Sequence, residues 1–155
     1  MRIVVVLTVA LCGLFWLIGP GVQPACAWYS QAVDGVGDVG WHTSIAVDAS
    51  GHPHISYYDY TNGNLKYASW NGSTWAIQTV DNDLDVGEYS SLALDSSGRP
   101  CISYYDYWNG YLKYAAWTGS TWAIQFADTT GDVGWYSSLA LDANDRPHIS
   151  YGCLG

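Results

Sequence analysis

Residues 41–87 read WHTSIAVDASGHPHISYYDYTNGNLKYASWNGSTWAIQTVDNDLDVG, and residues 88–134 repeat them at 30 of 47 aligned positions. A third copy opens at Trp135 and runs to Gly155, and Trp28–Gly40 matches the tail of a copy preceding the first. Four runs separated by turn residues make up each copy. They are Thr43–Asp48, His54–Asp59, Leu65–Trp70 and Trp75–Asp81, echoed by Ser90–Asp95, Cys101–Asp106, Leu112–Trp117 and Trp122–Asp128. Apolar side chains alternate with small or polar ones along the first run, the period of a pleated strand. Aromatic and β-branched residues fill the others. Between them, Gly51 and Gly98 suit tight turns, Pro53, Pro100 and Pro147 end those turns, and Asn71-Gly-Ser-Thr74 has the composition of a hairpin. Residues 28–155 carry no convincing helical period.

A period in the forties with four antiparallel strands per unit predicts β-propeller blades. The expected fold is therefore all-β, a partial β-propeller. Complete blades are expected at 43–81 and 90–128, a truncated blade at 137–151 and a lone fourth-type strand at 28–34. One blade buries too little by itself, and stacking on its neighbours creates the core. The rings at fixed repeat positions, Tyr57/Tyr104, Tyr67/Tyr114, Trp70/Trp117 and Trp75/Trp122, are expected to fill that packing. Propellers close with about four to eight blades. The front strand lacks a third-strand neighbour and is not expected to complete the last blade. Two readings follow: a homo-oligomer that closes a ring from several copies, or the truncated product of a longer repeat gene. Either leaves strand edges open on a single chain.

The first 27 residues read differently. Met1-Arg2 is a short positive start, Ile3–Ile18 is a nearly unbroken apolar run, and Ala25-Cys26-Ala27 has the form of a cleavage site. This predicts a secretory signal peptide over 1–27, cleaved after Ala27, and an extracellular or periplasmic location. The run is shorter than the roughly 20 residues of a membrane span, so no membrane association is expected after cleavage. Residues 28–155 hold fourteen carboxylates against Lys66, Arg99, Lys113 and Arg146, a formal charge of −10. Such a surface repels phosphate backbones and argues against nucleic-acid partners. Cys101 and Cys153 remain after cleavage, in a compartment that permits a disulfide between them.

The stretches Ser91–Pro100, Ile102–Asp106 and Leu112–Ala115 resemble the blades of exported prokaryotic β-propellers of the broad sialidase-like and lectin-like group. That resemblance covers essentially all of residues 28–155 and implies the fold; it does not specify a ligand. Thr130–Gly134 partly resembles the Asp-box turn of sialidases, with Ser137 where an aromatic residue should close the motif.

Propeller geometry places the fourth-to-first and second-to-third loops on one face. The ligand-binding candidates on it are Trp41, His42, Asp59, Tyr60, Glu88, Tyr89, Asp106, Tyr107, Trp108, Trp135 and Tyr136, with Asp38, Asp85 and Asp132 nearby. Rings that stack on C–H faces beside carboxylates that accept hydroxyl hydrogen bonds are what a sugar site needs. Divergence between copies gathers on the same face: Thr61 becomes Trp108, Asn64 becomes Tyr111, and Trp41 becomes Glu88 and then Trp135. Asp81, Asp83 and Asp85 form a calcium candidate by their alternation, although no Gly follows at the turn and no Glu closes the loop. His54 and His148 occupy equivalent positions with no third metal ligand in evidence.

An active site needs unlike residues in unlike roles, whereas nearly every carboxylate here has a counterpart one repeat away. The two arginines stand in equivalent turns and form no cluster, and there is no phosphate loop. The expectation is a secreted noncatalytic module without cofactors that recognises carbohydrate. A structural or adhesive repeat, a nonfunctional fragment, and the remnant of a propeller glycoside hydrolase are the alternatives.

Overall fold

A computed structural model describes Val4–Thr8 and Trp28–Leu154. Among the described residues, twelve strands run antiparallel in four sheets. Strands β3 (Val39–Val47), β4 (Pro53–Asp59), β5 (Asn64–Trp70) and β6 (Trp75–Asp81) form the first blade in sequential order. Strands β7 (Val86–Leu94), β8 (Pro100–Asp106), β9 (Tyr111–Trp117) and β10 (Trp122–Asp128) form the second. A two-stranded third blade consists of β11 (Asp132–Leu141) and β12 (Pro147–Leu154). The fold is a partial β-propeller whose first strands β3, β7 and β11 lie side by side at the inner edge.

Three expectations need correction. The first strand of each blade begins at Val39, Val86 and Asp132, four or five residues before the predicted Thr43, Ser90 and Ser137. The added stretch is a strand interrupted by two register shifts, between Val86 and Glu88 and between Glu88 and Ser91 in β7, with the same pair in β3 and β11. Gly40, Gly87 and Gly134 in these bulges take φ of 94°, 115° and 113°. Their lack of a side chain lets the inner strand approach the blade before it, because a Cβ at Gly87 would stand 2.7 Å from the Leu65 Cα. Second, with the proposed leader still attached, the place beside the front strand is taken by leader residues. Strand β1 (Val4–Thr8) pairs with β2 (Trp28–Ala32) in the register β5 holds on β6, with Thr8 opposite Trp28 as Trp70 is opposite Trp75. Apart from β1, the proposed leader lies outside the described residues. Third, β12 continues past Tyr151 to Leu154.

The core lies in layers between blades. Between blades 1 and 2, Leu65, Tyr67, Val80, Val86, Leu92, Ile102, Tyr104 and Ala115 are buried together, with Trp122 against them. Cys101, Tyr114 and Leu139 continue the layer between blades 2 and 3. Leu92 and Leu139 are 7% and 8% exposed, whereas Ile45, the same position on the open side of blade 1, is 55% exposed. Full burial of such a side chain is worth about 1.5–3 kcal/mol, so stability comes from each blade having a neighbour.

Polar bonds repeat with the same step. The Ser56 and Ser90 hydroxyls meet at 2.9 Å, and the Leu92 N–H donates to Ser44 Oγ at 3.0 Å. Ser103 with Ser137 and Leu139 with Ser91 do the same one blade on. An ion-paired latch joins the blades farther out. The Tyr104 hydroxyl and the Lys113 ammonium both donate to Asp81 Oδ2, at 2.7 and 2.6 Å, and Lys113 stands 3.8 Å from Asp106. Tyr57, Lys66 and Asp34 build the same latch at 2.8 and 2.7 Å on the front of blade 1. Burial alone would push the Asp34 and Asp81 carboxyls up, but the ammonium and tyrosine hydroxyl outweigh it and hold both below the ordinary aspartate value. A carboxyl depressed by folding stabilises the fold above its unfolded pKa and loses that contribution as pH falls through the folded value. The urea midpoint is therefore expected to hold steady down to about pH 4 and to fall below it. Asp81→Asn should flatten that acid limb; an unchanged limb would show that other carboxylates govern it.

Candidate functional site

The loop face is held together by backbone bonds between its two kinds of loop. Tyr107 N–H donates to the Asp85 carbonyl at 2.9 Å, Val86 N–H to Gly63 at 3.1 Å and Val133 N–H to Gly110 at 2.9 Å. Each fourth-to-first loop thus sits on the second-to-third loop of a blade beside it, as propeller geometry predicts. The bulges aim the side chains. His42, Tyr89 and Tyr136 each take φ of 52°, a left-handed conformation uncommon for residues other than glycine. Such strain is worth about 1–3 kcal/mol per residue and gathers at functional sites.

These three residues form an arc along the inner edge, with ring centroids 4.3 Å apart from His42 to Tyr89 and 4.5 Å from Tyr89 to Tyr136. Two unlike niches open beside it. Between blades 2 and 3, Trp135 lies 4.8 Å from Tyr105 and 5.2 Å from Tyr89, while Tyr105 meets Tyr107 edge-on at 6.3 Å. The Trp135 indole N–H and the Tyr105 hydroxyl both donate to Asp132 Oδ1, at 2.9 and 2.6 Å. Two of the rings thereby fix the Asp132 carboxylate through one of its oxygens. Between blades 1 and 2, Glu88 takes the place of the tryptophan. There Tyr58 donates its hydroxyl to Asp85 and meets Tyr60 edge-on at 6.2 Å. Burial pushes the Glu88 carboxyl up, and the neighbouring Asp85 charge adds to it. Burial and the Glu88 charge push the Tyr89 hydroxyl up to about 12, so it stays a donor at neutral pH. Burial lowers His42, which favours the neutral imidazole.

The structure brings together His42, Glu88, Tyr89, Tyr107, Trp135 and Tyr136, and places Trp41 6.0 Å from Tyr60 at the end of the arc. Trp108 is exposed on the blade-2 loop. Asp59 and Asp106 lie beneath the loop face and are not presented on it. Both are buried, and each accepts the N–H and side-chain amide of Asn62 or Asn109, at 2.9–3.2 Å, to cap its own loop. The calcium candidate also fails. Asp81 is held by Lys113, Tyr104 and the Asp83 N–H, Asp85 takes the Tyr58 hydroxyl, and Asp83 is exposed. The Lys113 ammonium already takes Asp81 Oδ2, and among the described residues no three acidic, His or Cys side chains group to hold a metal.

Cys101 and Cys153 are both free. Cys101 stands near the start of β8 and Cys153 near the end of β12, five residues farther along the equivalent strand. That offset is about 16 Å of strand, far beyond the reach of a disulfide. Tyr58 and Tyr105 escaped the sequence reading. Alternation in Ser-Tyr-Tyr-Asp marks one tyrosine for each side of the sheet, and the second of each pair is the one that reaches the niche.

No family model matches the chain, and no curated protein matches it. Among solved structures it is similar to a fucose lectin from Kordia zhangzhouensis in complex with methyl-fucoside. That similarity has 24% identity and a TM-score of 0.48, covering 70% of this chain and 81% of that one.

Proposed function

We propose that this chain is a noncatalytic carbohydrate-binding module that holds a neutral glycan against its loop face. The observation that carries the reading is the Asp132 carboxylate fixed by Trp135 and Tyr105 inside a group of rings that includes Tyr89, Tyr107 and Tyr136. Rings stack on the C–H face of a sugar, and the carboxylate accepts from its hydroxyls. Glu88 makes the neighbouring niche acceptor-rich in place of a second indole, so the two bind unlike faces of a ligand. The apolar start and Ala-Cys-Ala site support export, which would bring the module to glycans outside the cell.

A glycan array followed by fluorescence titration of the best neutral ligand tests this. Trp135→Leu keeps the bulge and an apolar side chain but removes the platform and the donor to Asp132. It is expected to weaken binding by about tenfold or more, the loss of roughly 1.4 kcal/mol, with an unchanged circular dichroism spectrum. Folded protein that binds no glycan on the array would sink the reading.

A further inference from the structure

We propose a second carbohydrate site, in the cleft between blades 1 and 2 on the side opposite the loop face, shaped for one neutral monosaccharide unit. A cavity of about 270 Å³ opens there, lined by Tyr67, Ser69 and Gln78 of blade 1 and by Arg99, Pro100 and Trp117 of blade 2. It is just below the roughly 300–1,000 Å³ of pockets for drug-sized ligands, which suits a single ring better than an extended chain. Tyr67 and Pro100 are buried and form its floor, and the half-buried Trp117 indole forms a wall. Trp122 braces both rings, with centroids 5.4 Å from Tyr67 and 5.4 Å from Trp117.

The polar groups of the cleft are oriented by partners outside it. Trp122 donates its indole N–H to Gln78 Oε1 at 3.1 Å, which leaves the amide NH₂ as the end able to donate. Arg99 donates its Nε to Asp95 Oδ2 at 2.6 Å, and its backbone N–H goes to Asp95 Oδ1 at 2.8 Å. That anchors the guanidinium by one edge and keeps the Nη donors for a ligand. The loop face offers carboxylate acceptors; this cleft offers a guanidinium and an amide.

Charge decides for a neutral ligand. Asp95 already compensates Arg99, and Asp145 of blade 3 lies against the same turn, accepting the Ser96 N–H and hydroxyl at 2.8 and 2.6 Å. A sugar carboxylate would meet both aspartates as like charges. The equivalent cleft between blades 2 and 3 repeats Tyr114, Gln125 and Pro147 but has Ala116 for Ser69 and Asp145 for Gly98. Its cavity is lined by the same three repeated residues together with the apolar Leu112, Phe126, Ala127 and Ile149 and by Tyr151. Arg146 and Gln125 repeat the guanidinium and amide donors there, so the first cleft is set apart by the Ser69 hydroxyl, the open Gly98 and the Trp117 wall.

Calorimetric titration of the full chain with methyl glycosides of neutral hexoses, and with the matching hexuronates, tests the site. Arg99→His installs the residue that blade 1 carries at this position, His52, whose ring stands 3.4 Å from Asp48, so the turn keeps a partner for its aspartate. This variant is expected to weaken cleft binding at least tenfold and to leave loop-face binding intact. Trp135→Leu should do the reverse, and hexuronates should bind the cleft more weakly than their neutral counterparts. Neutral-glycoside binding unchanged in Arg99→His, or abolished entirely by Trp135→Leu, would overturn the cleft site. Binding lost in Arg99→His but untouched by Trp135→Leu would uphold the cleft and overturn the loop-face reading.

Discussion

Replacing Lys113 by methionine is expected to lower the unfolding free energy by about 3–5 kcal/mol, the range for removing one partner of a buried ion pair. Lys113 is 3% exposed, with its ammonium 2.6 Å from Asp81 and 3.8 Å from Asp106. Methionine fills most of the same volume but leaves both carboxylates buried without a counter-charge, with the Tyr104 hydroxyl and the Asp83 N–H as the donors still serving Asp81. Lys66→Met should cost less, because the Lys66 side chain is 16% exposed against 4% for Lys113 and water can take over part of its role. The double replacement Lys113→Met with Asp81→Leu should recover part of the loss, since a buried pair exchanged for apolar residues is often close to neutral. Urea unfolding of the three variants measures the order. Equal losses at Lys113 and Lys66 would show that burial of the charge is not the cause.

Gly87→Ala is expected to destabilise the chain by about 2–5 kcal/mol, combining left-handed strain with overpacking. The added Cβ would stand 2.7 Å from the Leu65 Cα, 2.9 Å from its Cβ and 3.0 Å from its N, at a φ of 115°. Leu65 is fully buried in the layer between blades, so its backbone has nowhere to move. Gly134→Ala, with the Leu112 Cα at 3.1 Å, should fall below it. Gly98→Ala, at a φ of 76° with nothing within 4 Å, should show only the conformational penalty of about 1–2 kcal/mol. Thermal unfolding of the series should follow that order. A Gly98→Ala loss as large as that of Gly87→Ala would remove the close approach as the explanation.

The strands were readable wherever alternation and turn chemistry agreed. His54–Asp59 and Leu65–Trp70 came within one residue of β4 and β5 because Pro53, Asn62 and Gly63 bracket them. The bulged start of each inner strand was not readable. Val86-Gly-Glu-Tyr-Ser90 carries a glycine and breaks alternation twice, so its residues look like loop although they pair with β8. The candidate face was legible as a set of loops, but the role of each aspartate was not. Asp59 and Asp85 are the same residue type in neighbouring loops, yet one is sealed under Asn62 beneath the face while the other holds the Tyr58 hydroxyl in the niche. That difference comes from neighbours on other strands and blades, which spacing along a single strand does not encode. The same holds for the latch, whose members Asp81 and Lys113 are far apart in sequence and meet only when blades stack.

The repetition of the blade contacts bears on how such a chain can grow. Blade 2 greets blade 3 through Ser103, Ser91 and Tyr89 in the same way that blade 1 greets blade 2 through Ser56, Ser44 and His42. A further unit spliced in after Gly134 would find on each side the partners that its neighbours already use. Duplication in steps of one whole unit is therefore structurally almost silent, while loss or gain of a few residues puts every later serine out of step. Length in this architecture is free to vary by whole repeats, and the individual niches are free to diverge without disturbing the joints between them.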